Sequence, residues 1–582
     1  MTAALDPVTL SIVWKNLIAT AEEMGAVLKR TAFSPALREA RDFSASVHDS
    51  SGRLVAHGLF TPGHTGAAMH GIPMLLDRID ASALRPGDAL LYNDLELSLG
   101  HLPDMFSVLP LFADDEIVGY SVTSAHHVDV GGVAPGSISI EGVRDVYAEG
   151  LRVTPVRHFV GGEPNPDVFE LVRANSRMPD RVEGDLHAQM NANRRGADLF
   201  DGLLSRYGLD TIKAATEAIL RHGEDAMRRA IARVPDGRYE FEDRMDDHGP
   251  GTSPLTIAAA VEVAGDELVV DYSGTSPQVM AGINAYFGFT LAYTLFAIKA
   301  VLDPDGPANA GTLRPIGVEI PAGCFLNPNH PAPGGGRAVV LTRIVDVVIG
   351  ALAEAVPSRV AAAPSQFMNS AFGGRSGQGD EQFVYFELLF GGTGARPDRD
   401  GSEAMCSGLD VANIPVEVYE ATSPMRVERF EVIPDAGGAG RFRGGCGVRK
   451  DVRVLADSIV LTNMGDRTET PPYGLAGGRP GWTGRSVLRS ASGTSELESK
   501  GTYVVNRGDL VSLRLSGGGG YGDPLERDPE RVATDVREGY VTAAAARRDY
   551  GVCLMPGTDD PDVEATRRLR DDERASSREE ST

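Results

Sequence analysis

Residues 93–137 read NDLELSLGHLPDMFSVLPLFADDEIVGYSVTSAHHVDVGGVAPGS, and the local chemistry of this stretch points to the class of fold. Pro103 removes an amide donor and holds Leu102 extended, so His101-Leu102-Pro103-Asp104 is a turn and not helix interior. Ile117 to Ala125 reads as a strand, with Val118, Tyr120 and Val122 on one face. Just upstream, Ala89-Leu90-Leu91-Tyr92 is an apolar run that ends at Asn93-Asp94, again the end of a strand. Gly131, Gly132 and Gly136 let the backbone turn sharply and approach a bound group closely. Helices lie on both sides of these strands. Asp6-Pro7 supplies an N-cap and a proline at the first helical position, and Leu10, Val13, Leu17, Ala21, Met24 and Leu28 recur at helical spacing to about Arg30. Downstream, His187 to Arg195 and about Leu209 to Val234 are helical too. Strands set among helices predict a mixed α/β (α+β) fold.

The same stretch concentrates side chains that bind metals and carry protons. His101, Asp104, His126, His127 and Asp129 all lie in it, although the chain has only 12 histidines in 582 residues. A single His or Asp in a loop ordinarily bonds locally or caps a turn. Five together, beside glycine and proline, point to a metal site. Mixed nitrogen and oxygen donors suit Zn, Mn or Fe and do not suit Ca or Mg. His101 and Asp104 share one turn and can converge on one point. Strand alternation puts His126 with Val118, Tyr120 and Val122 and sends His127 to the opposite face, so His126 is the expected ligand of the pair.

Composition narrows the setting. A chain of 61.7 kDa with 42% hydrophobic residues is expected to form two to four domains with large cores. A formal charge of −25 repels polyanions, so neither nucleic acid nor an anionic membrane is an expected partner. Cys324, Cys406, Cys446 and Cys553 form no CxxC pair, which argues against a disulfide framework or zinc ribbon. The N-terminal MTAALDPVTL lacks a secretory pattern and no apolar run reaches the ~20 residues of a membrane span, so a cytoplasmic location is expected.

Outward from the centre the chain divides by composition. Residues 1–235 are expected to form an N-terminal α/β domain with the metal site, 236–360 a central β/α domain, and 361–525 a glycine-rich β-containing region. Residues 526–582 are expected to hold a C-terminal helix and a charged tail, RRLRDDERASSREEST. The segments PAPGGGR (331–337), FGGTGARPDRDG (390–401), GGAGRFRGGCG (437–447) and LSGGGGYGDP (515–524) read as tight turns of a β-rich region. None contains the Gly-Lys-Ser/Thr of a nucleotide-binding loop. Asp42, just before the strand-like Phe43 to Val47, has little weight from spacing alone.

Several stretches together resemble the hydantoinase B/5-oxoprolinase family: HLPD (101–104), AHHVDVGGVAPGS (125–137), GDLHAQMNANRRG (184–196), DYSGTSPQV (271–279), NIPVEVYE (413–420) and the ending GGGGYGDPLERDPERVATDVREGYV (517–541). The similarity runs from about residue 5 to 552. It implies an N-methylhydantoinase B-type subunit that carries a divalent metal, while a hydantoinase A-like partner binds ATP-Mg and phosphorylates the substrate in a hetero-oligomer. The family's metal ligands map onto Asp42, His101, Asp104 and His126. Where the family commonly reads NDPY and Gly-Gly before the histidine, this chain has Asn93-Asp94-Leu95-Glu96-Leu97-Ser98-Leu99-Gly100, which changes the loop bordering the pocket. The resemblance implies hydrolysis of a hydantoin, 5-oxoproline or related lactam, with His127 and Asp129 as candidates for proton transfer or ligand orientation. ATP-dependent carboxylation of a ketone, or a non-catalytic scaffold with a structural metal, are the alternatives it leaves open.

Overall fold

The computed structural model describes residues 5–376, 381–405 and 407–580. The first helix, α1 (Pro7–Thr31), begins where Asp6 accepts the Thr9 amide and buries Val13, Leu17, Ala21, Met24 and Leu28, the stripe its spacing predicts. After the short α2 (Pro35–Arg38) come β1 (Phe43–Asp49), β2 (Leu54–His57) and α3 (Pro62–Arg78). Then follow β3 (Ala89–Tyr92), β4 (Asp104–Ala113), β5 (Glu116–His126), β6 (Val156–Val160) and β7 (Glu163–Pro164). These seven strands make one sheet in the order β2-β1-β5-β4-β3-β6-β7. Next come α4 (Pro166–Asn175), α5 (Pro179–Tyr207) and α6 (Leu209–Ile231). Helix α5 is far longer than the polar stretch around Gln189 suggests, and it packs between α1 and strands β4 and β5.

A second sheet, β11-β10-β9-β8, is built from β8 (Gly237–Met245), β9 (Leu255–Ala264), β10 (Glu267–Asp271) and β11 (Ile316–Glu319). Two helices belong with it: α7 (Phe287–Leu302), which lies on α3, and α8 (Leu341–Ala355), which covers β8 and β9. Gly63 and Gly66 allow the close crossing of α3 and α7, since a Cβ at either would sit 2.4 Å from the Tyr293 hydroxyl or 2.6 Å from Ala292.

The remaining strands are β12 (Phe367–Arg375), β13 (Gln382–Phe390), β14 (Met425–Ile433), β15 (Gly447–Val454), β16 (Ile459–Met464), β17 (Arg485–Ser490), β18 (Gly493–Leu497), β19 (Lys500–Val505) and β20 (Leu510–Arg514), with α9 (Val416–Thr422) between β13 and β14. They form a four-stranded sheet, β13-β12-β16-β19, and a five-stranded one, β14-β15-β20-β17-β18. The fold is therefore mixed α/β with several sheets. One buried apolar cluster contains residues from Ala40 to Leu515, so the sheets share a core.

The glycine-rich segments pack backbone against backbone. The amides of Gly438, Gly445, Gly518 and Gly519 all donate to carbonyls of neighbouring segments at 2.8–2.9 Å, and a Cβ on Gly518 would meet the Thr393 carbonyl at 2.1 Å. Amides spent in this way are not available to cradle a phosphate. Arg443, the basic residue beside them, is paired with Glu403.

The chain closes with α10 (Pro529–Arg537), α11 (Ala543–Tyr550) and α12 (Val563–Glu580). Arg570 on α12, within the charged run, donates to the carbonyls of Tyr550 and Arg527. Cys324, Cys446 and Cys553 are free thiols, and Cys406 lies outside the described residues. Among the described residues no helix is long and apolar enough to cross a membrane.

Candidate metal centre

Strand β4 begins at Asp104 and β5 ends at His126, and their antiparallel register sets these two residues directly opposite each other. Pro103 has no amide to give the ladder, so pairing starts only after it. Its carbonyl instead accepts the His127 amide at 2.8 Å. Gly100, at φ +75°, turns the chain so that His101 enters from the side, and a Cβ there would strike Tyr286 at 2.6 Å.

His101, Asp104 and His126 converge as buried neighbours. Asp104 Oδ1 lies 3.0 Å from His126 Nδ1 and 3.7 Å from His101 Nε2, and the two imidazole nitrogens are 3.2 Å apart. Metal bonds of about 2.1 Å place adjacent donor atoms roughly 3–3.5 Å apart, so this triangle fits one divalent transition ion. His101 Nδ1 donates to the Gly335 carbonyl at 2.8 Å, which leaves Nε2 as the bare lone pair facing the triangle. Burial, helped by the Arg337 charge, holds the His101 imidazole well below its ordinary pKa. Burial also pulls His126 down, but the hydrogen bond and charge of Asp104 outweigh it and leave that imidazole raised. Burial resists ionisation of Asp104, yet His101, Arg337 and His64 around it keep its carboxyl well below the usual range.

Two residues that spacing could not reveal complete the surroundings. His64, on the first turn of α3, places Nε2 3.6 Å from Asp104 Oδ1 and 4.0 Å from Asp42 Oδ1, while its buried Nδ1 has no partner. Arg337 donates to Asp104 Oδ2 at 2.5 Å and to the Leu99 carbonyl at 2.7 Å, with its guanidinium 4.6 Å from the Phe289 ring centre. Asp104 is thus held from behind by a cation while its other oxygen faces the imidazoles. Asp42 lines the same cavity at its edge, outside the tight triangle. The cavity offers about 40 Å³ to the centre of a water molecule, room for roughly three waters. Phe289, Phe367, Phe386 and Leu409 give it apolar walls.

His127 and Asp129 are not brought to this cluster. His127 turns to α5, where its Nε2 is 3.0 Å from Gln189 Oε1, and Gln189 in turn donates to the Met105 and Thr123 carbonyls. Asp129 accepts the amides of Gly131, Gly136 and Arg177 and pairs with the Arg177 guanidinium at 2.9 Å. The first braces α5 on the sheet and the second shapes the glycine loop, and neither residue lines the cavity.

The PAPGGGR turn is a wall of the centre. Its Gly335 carbonyl orients His101, and the Gly334 and Gly335 amides donate to buried Glu149 at 3.2 and 2.6 Å. Burial pushes the Glu149 carboxyl up to about 8, against the lowering effect of those amides and of Arg337. A folded value above the unfolded 4.5 means that this group's contribution to stability is full below about pH 4.5 and is lost as pH rises toward 8. Unfolding titrations from pH 4 to 9 should show Glu149→Gln gaining on the native chain by up to ~1.4 kcal/mol per pH unit inside that window. Parallel stability curves for the two proteins would refute the assignment.

The chain is similar over nearly its whole length to known proteins. A family model described as hydantoinase B/oxoprolinase matches residues 6–524. The putative B-type subunit of a D-/L-hydantoinase from Pseudomonas sp. (strain NS671) is 33% identical, covering 97% of this chain and 98% of its own. The crystal structure of the ATP-dependent caprolactamase from Pseudomonas jessenii superposes with a TM-score of 0.91 at 29% identity, over 98% of this chain and 100% of that one. A nucleotide-free acetone carboxylase structure reaches a TM-score of 0.92 at 19% identity, covering 99% of this chain and 84% of that one, and shares the fold. With the match spanning nearly its whole length, the chain belongs to the hydantoinase B/oxoprolinase family.

Proposed function

We propose that this chain is the metal-bearing subunit of a cytoplasmic, hetero-oligomeric, ATP-dependent cyclic-amide hydrolase. It acts on a hydantoin, 5-oxoproline or related lactam after a hydantoinase A-like partner has phosphorylated the carbonyl oxygen. The observation that carries the reading is the buried His101–Asp104–His126 triangle beside an apolar cavity. Relatives named as the B-type subunit of a hydantoinase and as the beta subunit of a caprolactamase support a partner. So does the glycine-rich region, whose packed amides leave ATP chemistry to another chain.

His101 Nε2, His126 Nδ1 and Asp104 Oδ1 would hold Zn, Mn or Fe, with Asp42 as a fourth ligand from the cavity edge. A divalent ion held there lowers the pKa of water from ~15.7 towards ~7. Arg337 fixes the outer oxygen of Asp104, and the Gly335 carbonyl fixes the His101 tautomer, so the inward lone pairs are set before substrate arrives. His64, with one nitrogen near Asp104 and the other unpaired, is better placed than His127 to take a proton from the attacking water. The phenylalanine walls keep bulk water from the activated carbonyl.

Elemental analysis of the purified chain should find about one equivalent of a transition metal. Reconstitution with the partner should then give lactam-dependent ATP cleavage without incorporation of bicarbonate carbon. Incorporation of that carbon into a ketone would replace this reading with carboxylation. Full turnover by the partner alone would reduce the chain to a scaffold.

A further inference from the structure

One wall of the metal cavity is made by the paired strands β12 and β13, which send Phe367, Asn369, Phe386 and Leu388 into it. Phe367 and Asn369 alternate along one strand, and the register sets Asn369 opposite Leu388. Asn369 is therefore a carboxamide on an otherwise apolar sheet face. It is 5% exposed, and its Oδ1 has no hydrogen-bond partner. A buried amide left unpaired weakens the fold, whereas a leucine of nearly the same size would complete the surface. Packing gives no reason for an asparagine here. Thr61 Oγ1, on the α3 side of the cavity, is orphaned too.

We infer that Asn369 is a specificity-determining residue that reads the N–H of a cyclic amide, an inference that rests on the hydrolase reading above. A ring amide holds its N–H and C=O on the same edge; phosphorylation takes the oxygen, and the protonated ring nitrogen stays as the donor on that edge. A carboxamide presents the complementary acceptor and donor. A ketone of the same shape offers no donor and would leave Oδ1 unpaired among phenylalanines, where an unmet hydrogen bond costs most. The guanidinium in the cavity, Arg337, is already committed to Asp104 and the Leu99 carbonyl. Asn369 Oδ1 is not committed in this way.

The test uses the full-length, metal-loaded chain and three matched rings: 2-pyrrolidinone, N-methyl-2-pyrrolidinone and cyclopentanone. Ligand-observed NMR titration of the native chain should show 2-pyrrolidinone binding at least about tenfold more tightly than the other two. Asn369→Leu should bind all three alike, with unchanged metal content and a Tm equal to or above that of the native chain. Asn369→Asp, which keeps an acceptor, should retain the preference. The inference is overturned if Asn369→Leu keeps the preference, if the native chain does not distinguish the rings, or if it binds none of them. The coupled assay with the partner separates the two levels of the reading. Lactam turnover with an unchanged KM in Asn369→Leu removes Asn369 and leaves the hydrolase standing. Bicarbonate fixation onto a ketone removes the hydrolase itself.

Discussion

Asp104→Ala should purify without a divalent metal under conditions that give the native chain one equivalent, and turnover of the assembled enzyme should fall by on the order of 10³ or more. The size of the effect follows from how many jobs one carboxylate has. Its Oδ1 lies within 3.7 Å of His126, His101 and His64, and its Oδ2 neutralises Arg337. Removing it deletes a ligand and leaves a buried guanidinium without its counter-charge, which costs about 3–5 kcal/mol. Asp104→Asn separates the two consequences, because an amide oxygen still accepts from Arg337 while the site loses its negative charge. That variant should lose metal with a smaller loss of stability than Asp104→Ala, because the hydrogen bond to Arg337 is kept. One full equivalent of metal in either variant, measured by plasma emission, would place the ion elsewhere.

A loss of stability of similar size is expected at Arg343, far from that chemistry. Arg343 on α8 is fully buried and donates to Asp466 at 2.6 and 2.8 Å and to Asp243 on β8 at 2.9 Å. Lys500 on β19 shares Asp466 at 3.0 Å, and Arg467 joins Asp243 to Asp346. The network fastens the second sheet to the third through α8. Arg343→Met keeps most of the volume but removes the buried cation that Asp466 and Asp243 share, so unfolding should become easier by about 3–5 kcal/mol. Denaturant midpoints would report it, with metal content and substrate KM unchanged in the protein that remains folded. A shift smaller than ~1 kcal/mol would mean that Lys500 and Arg467 compensate for the missing guanidinium.

What could be read from the sequence was whatever is local. Asp104 and His126 were legible because a proline marks where β4 can begin and alternation marks which of two histidines faces inward. The capped start and buried stripe of α1 were legible for the same kind of reason. His64 was not, because it stands alone in PGHTG and meets Asp104 only after α3 folds back across α7. Arg337 sits in a glycine turn whose spacing says turn and nothing about its target, 233 residues upstream. Asn369 is an ordinary strand residue until β13 surrounds it with apolar side chains. His127 and Asp129 misled for the opposite reason. Their chemistry is that of a site, but Gln189 holds His127 by Nε2 and Arg177 pairs with Asp129, and neither residue lines the cavity.

The order in which these parts are made has its own consequence. His101, Asp104 and His126 leave the ribosome within 26 residues of one another, whereas Arg337 is added 233 residues after the carboxylate it will neutralise. At ~5–20 residues per second the interval is on the order of 10–50 s. During that time the three side chains precede Arg337, and Phe367 and Phe386 come later still, so the back and one wall of the cavity are the last parts of it to be made.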